Sequence, residues 1–302
     1  MNTGIPYFRA EKIADQTWMI TNAFVEKTSA ISYLVEGRDY ALLIDTIMGW
    51  GNLKKFCESL TNKPIKLANT HFHIDHCGGN FHFQSCYMPH RDIGLFQESI
   101  HRTKEEIFQE AKEAALPEYK DFIECDDNFR SEQPMLVYPI YDGDVFDLGD
   151  REIEVVEVGG HSPGCSVFID HKSRICFSGD ACNGFTMLCF ANAFPIEQYM
   201  HSLLHLKKHQ SEIDMMYGGH QIFDPHIIDE GIETVARVLA GTDDHYEVMG
   251  NFGREVVYAG KVRQGSFTRE DGVKFNLCYW GEKITGAFDS RQRIVNKPLP
   301  FL

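Results

Sequence analysis

Four potential metal ligands lie within six residues of the chain, in the order His71, His73, Asp75 and His76. Imidazole and carboxylate ligands suit zinc and also iron or manganese, so the residue types alone do not fix the metal. Residues 65–70 before the motif alternate apolar and polar side chains, which predicts a strand. If the chain stays extended after that strand, the first three ligands share one side and the fourth points elsewhere. The segment can therefore serve two neighbouring metal positions.

One segment cannot complete a two-metal site, so further ligands must follow other strands. Three strand-like runs downstream, at 153–158, 175–179 and 215–219, each lead into a turn with a potential ligand; these ligands are His161, Asp180 and His220. Taken singly, a His or Asp after a strand is most often an ordinary turn residue. Their order after the first motif favours a shared metal site.

The complete series, H-x-H-x-D-H followed by His, Asp and His, resembles the motifs of the metallo-β-lactamase superfamily over roughly residues 15–240. Residues 32–37 and 41–46 are similar to the family's first hairpin and its Leu-Ile-Asp-Thr turn. The resemblance implies an α/β (α+β) protein, an αββα sandwich of two face-to-face β-sheets with helices outside. It also implies a metal site at one edge of the sandwich.

The resemblance gives the seven ligands three roles: His71, His73 and His161 hold the first ion, Asp75, His76 and His220 hold the second, and Asp180 bridges both. Asp75 and Asp180 are the residues that we expect to be catalytic. The resemblance also places Asp45 near the site, where it would orient a ligand histidine. The alternative, that Asp45 only caps a turn, stays open.

Asp180 narrows the expected chemistry. Several true β-lactamases have Cys at the equivalent position, whereas the Asp form resembles glyoxalase II-type thioesterases, lactonases, phosphodiesterases, alkyl sulfatases and persulfide dioxygenases. Two dications ~3.5 to 4 Å apart share a hydroxide that is a nucleophile at neutral pH. Such a cluster keeps a net positive charge and attracts anionic or carbonyl-bearing substrates.

We therefore expect a metal-dependent hydrolase with two divalent ions, zinc before iron or manganese, that acts on an ester, thioester, lactone or phosphoester of a small anionic molecule. The main alternative is a mononuclear iron enzyme resembling persulfide dioxygenases, and a non-catalytic metal-binding protein is a third reading. The sequence does not single out a general acid among the candidates His82, His90, His101, His201 and Tyr217.

The composition agrees with an enzyme that acts on small molecules. The 302 residues carry a formal net charge of −15, which argues against nucleic acid as a partner. We expect no membrane span, because there is no apolar run of eighteen residues, and the first ten residues lack a signal pattern. The nine cysteines are an odd number and fit free thiols, so we expect a cytoplasmic protein.

The simplest organisation is a catalytic domain over 1–245, with a helical insertion at about 90–135, and a C-terminal extension over 246–302. Within the insertion, residues 92–115 have helical apolar spacing that ends before Pro117. We expect residues 92–130 to cap the active site and restrict it to small substrates, although a surface insertion without a catalytic role is the alternative.

Four further elements follow from the C-terminal half of the sequence. Helices are predicted at 195–209 and 225–239, and a β-hairpin is predicted from strands at 255–259 and 273–277. The extension could cover the site or form a contact in a homo-oligomer, and the sequence leaves both open.

Overall fold

The computed structural model describes residues 5–27, 30–249 and 254–285. These residues form two compact units. The first unit contains the described residues up to 140 together with 146–153, and the second contains 141–145 and the described residues from 154 onward. Residues 286–302 of the predicted extension lie outside the described residues.

The first unit is built on a mixed sheet with the strand order β1-β2-β3-β4-β5-β6-β7. Its first four strands are antiparallel neighbours, and β4 to β7 run parallel. The strands are β1 (Phe8–Ala14), β2 (Thr17–Asn22), β3 (Ser32–Glu36), β4 (Ala41–Ile44), β5 (Ile65–Ala68), β6 (Ser85–Pro89) and β7 (Leu136–Ile140).

Short helices connect the parallel strands of the first unit. They are α1 (Leu53–Cys57), α2 (Ile74–Cys77), α3 (Ile93–Ser99), α4 (Lys104–Ala114) and α5 (Pro117–Lys120), with a 3₁₀ turn at Asn80–His82. The predicted first hairpin is present as β3 and β4, whose side chains are almost all buried.

The second unit contains most of two further sheets, with the orders β14-β13-β11-β10-β9-β8 and β12-β17-β16-β15. The strands are β8 (Val145–Asp147), β9 (Glu152–Glu157), β10 (Ser166–Asp170), β11 (Ile175–Gly179), β12 (Thr186–Met187), β13 (Met215–Gly218), β14 (Ile222–Phe223), β15 (Tyr246–Met249), β16 (Glu255–Tyr258) and β17 (Leu277–Tyr279).

Two helices of the second unit match the predictions to within two residues at each end. They are α6 (Ile196–Lys207) and α7 (Ile227–Leu239), and 3₁₀ turns lie at Gln210–Glu212 and Gly281–Lys283. The apolar stripe of α7 is buried, which explains why its sequence spacing was clear. Among the described residues, no helix has both the length and the apolar content needed to cross a membrane.

Parallel strand pairs place the ligand residues at sheet edges. In the first unit, β4 and β5 end side by side, so Asp45 and the H-x-H-x-D-H motif leave the sheet at the same edge. In the second unit, β11 and β13 end together with Gly179 opposite Gly218, and Asp180 and His220 follow. His161 lies in the turn between β9 and β10.

The motif itself differs from the extended segment that we predicted. Residues 74–77 form helix α2, in which the N–H of Cys77 donates to the carbonyl of His73. Asp75 therefore does not continue the alternation of His71 and His73, and the expectation that the three share one side of an extended chain was wrong. The helical turn rotates Asp75 and His76 by about 100° relative to each other.

The predicted insertion is helical, but it is not a single helix that ends before Pro117. Helix α3 ends at Ser99, and Thr103 is the N-cap residue of α4, where it forms a capping box with Glu106. Pro117 starts α5 instead of ending a longer helix. Phe96 stacks near Phe81 with ring centroids 6.2 Å apart.

The apolar stripe of the insertion is therefore partnered inside the first unit. Phe96 and Ile100 belong to the main core cluster of that unit, and Ile107 packs in a second cluster with Phe24 and Trp50. Burial of this stripe needs no cap over a substrate, so the capping role stays a prediction.

The predicted C-terminal hairpin is present, but its second strand lies at other residues than predicted. β16 matches the prediction, but its partner is Leu277–Tyr279 and not 273–277. The backbone N–H groups of Lys274 and Phe275 donate to the carboxylate of Glu230, so this stretch is held by a side chain and not by a strand ladder. β15 and β12 complete a four-stranded sheet that the sequence did not predict.

Candidate metal centre

Two predicted ligand histidines of the first unit face each other at the start of the motif. The Nε2 atom of His71 lies 3.1 Å from Nδ1 of His73. The other ring nitrogen of His71, Nδ1, lies 3.0 Å from the hydroxyl of Thr70. That contact leaves Nε2 as the nitrogen of His71 that can bind a metal.

A buried carboxylate orients the histidines of the motif. Asp45 accepts hydrogen bonds from the backbone N–H and the hydroxyl of Thr70, both at 2.8 Å. Because that hydroxyl donates its proton to Asp45, it accepts from Nδ1–H of His71. The oxygen of Asp45 that accepts from this hydroxyl, Oδ2, also lies 2.8 Å from Nδ1 of His76. One carboxylate thus sets the ring orientation and tautomer of two histidines.

Buried amides hold the backbone around His76. The Asn69 side chain donates to the carbonyl of His76 at 3.1 Å, and Asn80 donates to Asn69 at 2.8 Å. Thr46 donates in turn to Asn80 at 2.8 Å. All of these side chains are buried. The sequence does not reveal this network, because an Asn beside a glycine turn is ordinary in sequence.

In the second unit, a single carboxylate oxygen contacts two predicted ligand histidines. Asp180 Oδ2 lies 3.4 Å from Nε2 of His161 and 3.3 Å from Nε2 of His220. His161 donates from Nδ1 to the carbonyl of Met187 at 2.8 Å, which directs Nε2 towards Asp180. Asn183 donates to the other oxygen of Asp180 at 3.3 Å. Met187 and Asn183 are positioning residues that the sequence did not reveal.

These separations fit a shared metal ion. With bonds of about 2.0 to 2.1 Å and tetrahedral angles, two ligand atoms on one zinc lie about 3.3 Å apart. The three pairs in the two units lie 3.1, 3.3 and 3.4 Å apart. The donor sets of the two units, imidazole with carboxylate, are therefore compatible with zinc and with other divalent metals.

The structure also bears on the candidates for a general acid. His101 is exposed and contacts Glu132, and His201 lies exposed on α6. His82 is buried in the first unit, and burial lowers its pKa to about 4. A neutral imidazole of this kind does not supply protons at neutral pH, so His82 does not suit the role.

Comparisons with known proteins identify the family of this chain. The family described as the metallo-beta-lactamase superfamily matches residues 28–233, and the chain therefore belongs to that superfamily. Human acyl-coenzyme A thioesterase MBLAC2 is 24% identical over 191 residues, which are 59% of this chain and 67% of that protein. The Bos taurus protein of the same name has the same identity and coverage.

Solved structures show the fold independently. A metallo-beta-lactamase from Pontibacter korlensis is 17% identical, with a TM-score of 0.55, over 76% of this chain and 99% of that chain. DIM-1 metallo-beta-lactamase is 18% identical, with a TM-score of 0.56, over 77% and 99%. The predicted α/β class and family are thus confirmed. These relatives are hydrolytic enzymes, and this chain is a hydrolase of a superfamily that usually binds divalent metals, typically zinc.

Proposed function

We propose that the protein hydrolyses acyl thioesters of a small anionic carrier and that it uses two divalent metal ions, most favourably zinc. Of the bonds that the sequence analysis left open, the thioester is supported by the names of the relatives, which are acyl-coenzyme A thioesterases. The seven residues that the family resemblance assigns as ligands would hold the ions: His71, His73, Asp75, His76, His161, Asp180 and His220.

The observation that supports the two-ion proposal is the contact of Asp180 with both His161 and His220. The family resemblance assigns His161 and His220 to different ions, and the same oxygen of Asp180 approaches both rings. A carboxylate oxygen placed between ligands of two ions can serve both of them.

The bound ions would supply a hydroxide nucleophile at neutral pH and would stabilise the oxyanion that forms on the carbonyl. The chain prepares this chemistry by holding its ligands rigidly. Asp45 fixes two histidines, and Met187 and Asn183 fix His161 and Asp180. A thiol has a pKa near ~8.5, so a thiolate leaves without a proton and the reaction requires no general acid.

The test joins metal analysis to a substrate comparison. Protein loaded with zinc should contain close to two equivalents per chain, and it should hydrolyse an acyl-coenzyme A faster than the matched oxygen ester or a β-lactam. Removal of metal with a chelator should abolish this activity, and zinc should restore it. A single tightly held iron, with oxygen consumption in the presence of a persulfide, would instead support the dioxygenase alternative and overturn the proposal.

A further inference from the structure

A cavity of about 320 Å³ lies in the second unit beside two of the ligand residues. Its wall contains Asp180 and His220 together with side chains of the C-terminal extension. The proposed metal chemistry uses none of the extension residues. Their place in the same wall calls for a separate explanation.

The wall contains one polar cluster and one apolar cluster. Asp180 contacts both Asn183 and His220, which makes the polar cluster. In the apolar cluster, the ring of Phe185 lies 4.9 Å from that of Tyr258 and 4.5 Å from that of Phe267. Both clusters line one cavity, so a ligand with a reactive polar group and an apolar tail can contact both.

Two large apolar side chains of this wall are exposed to solvent. Phe267 is 58% exposed and Met249 is 73% exposed. Exposed apolar area gathered around a cavity favours an apolar ligand, because the ligand removes that area from water. Deeper in the wall, Val256 is buried and supplies a third apolar side chain from the extension.

One short strand links this cavity to a ligand histidine. Met187 of β12 lines the cavity, and its carbonyl accepts the hydrogen bond from His161. β12 pairs in parallel with β17 of the extension, with Met187 opposite Cys278. The extension therefore supports the strand that positions His161 as well as forming the cavity wall.

We infer that this cavity binds the apolar acyl group of the substrate and that the lining residues of the extension determine which acyl chains the enzyme accepts; these residues are Met249, Val256, Tyr258, Phe267 and Cys278. The inference rests on the proposed thioesterase function. With the thioester carbonyl beside Asp180 and His220, the acyl chain lies against Phe185, Tyr258 and Phe267. Longer chains gain affinity for as long as added methylenes contact this apolar cluster.

The test uses stable thioether analogues, S-ethyl, S-hexyl and S-decyl coenzyme A, with the zinc-loaded protein in isothermal titration calorimetry. Because binding needs no turnover, the result does not depend on catalysis. In the wild type, affinity should rise by about two- to fourfold for each methylene that enters the cavity. Phe267→Ala should weaken S-decyl binding by about tenfold and leave S-ethyl binding within twofold.

Val256→Phe fills the cavity from inside and should flatten the dependence on chain length. Leu204→Ala is the matched control, because Leu204 is an exposed apolar residue of α6 that does not line the cavity. Phe267 is exposed, so its variant tests the inference even if Val256→Phe fails to fold. The same chain-length dependence in wild type and Phe267→Ala would overturn the inference. If binding behaves as expected but no thioester is hydrolysed, the proposed function fails and the apolar subsite stands.

Discussion

The Oδ2 atom of Asp45 lies 2.8 Å from Nδ1 of His76, and both side chains are buried. Asp45 follows β4 with φ of +63°, a left-handed conformation that Asp and Asn tolerate better than most residues. The same carboxylate also receives two hydrogen bonds from Thr70. The strand end, the unusual backbone angle and the histidine contact together show that Asp45 orients His76 and does more than cap a turn.

Asp45→Asn should lower zinc affinity by about 10- to 100-fold, because it removes the charge that holds His76 while keeping the shape and the tolerated backbone angle. Competition with a chromogenic chelator measures the affinity of each variant. Asp39→Asn is the control, since Asp39 is an exposed residue of the same unit that pairs with Arg38. Equal affinities of wild type and Asp45→Asn would show that Asp45 does not support the metal.

Much of the framework could be predicted because it depends on local sequence. Strand-like runs that end at turns predicted the strands that precede His161 and Asp180, and apolar spacing predicted α6 and α7. The candidate ligands could be proposed from the sequence because their residue types and order are rare in combination.

The rest depends on contacts between distant positions. The pairing of β12 with β17 joins residues about ninety positions apart in sequence, and neither segment has a distinctive pattern of its own. The hydrogen bond from His161 to the carbonyl of Met187 involves a backbone group that every residue possesses. Residues 74–77 form a helical turn and not an extended segment, because hydrogen bonds around His76 stabilise the helical conformation.

Asp180→Ala should reduce turnover by about 10² or more, because it removes the carboxylate that contacts both His161 and His220. Steady-state kinetics on an acyl-coenzyme A, with metal content determined in parallel, check this expectation. Asp214→Ala should leave kcat unchanged, since Asp214 is exposed and pairs with Arg174. Near wild-type turnover in Asp180→Ala would contradict the ligand assignment.

His82→Gln should make the metal-free protein less sensitive to acid. Burial lowers the pKa of His82 from 6.5 to about 4 in the folded state. Between these values the unfolded chain binds more protons, so the free energy of unfolding falls as the pH drops, by up to about 1.4 kcal/mol per pH unit.

Urea unfolding at pH 7 and pH 5 tests this dependence. The wild type should lose about 2 kcal/mol more than His82→Gln between the two conditions, because only the wild type protonates this histidine on unfolding. The ligand histidines are present in both proteins and cancel in the comparison. An identical loss in both proteins would mean that His82 does not contribute to acid sensitivity.

Ile107→Ala should destabilise the first unit by about 2 to 5 kcal/mol, because Ile107 is buried with Phe24 and Trp50 and its truncation leaves a cavity. Urea denaturation measures the change, and Leu136→Ala on the exposed side of β7 is the control. Metal content of the folded variant should stay at the wild-type value. A decrease in the free energy of unfolding below about 0.5 kcal/mol would show that the insertion packs loosely. That result would favour a capping role for the insertion.

Cys189 should be the most reactive of the buried cysteines. The Sγ atom of Cys278 lies 3.4 Å from that of Cys189, and its hydrogen bond lowers the pKa of Cys189. Burial instead raises the pKa of Cys57, Cys176 and Cys182. Because the thiolate is the nucleophile, Cys189 should react with iodoacetamide at neutral pH before these three.

The rate can be followed by peptide mass spectrometry in a Cys125→Ser background, which removes an exposed thiol. Cys278→Ala deletes the donor, so the pKa of Cys189 should rise and its alkylation at pH 7 should slow severalfold. Cys182→Ala is the control, because it removes a buried thiol that does not line the cavity.

Since both Cys189 and Cys278 line the cavity, a bound S-decyl thioether should also protect Cys189 from alkylation. Unchanged alkylation in Cys278→Ala would show that the neighbouring thiol does not control the reactivity of Cys189.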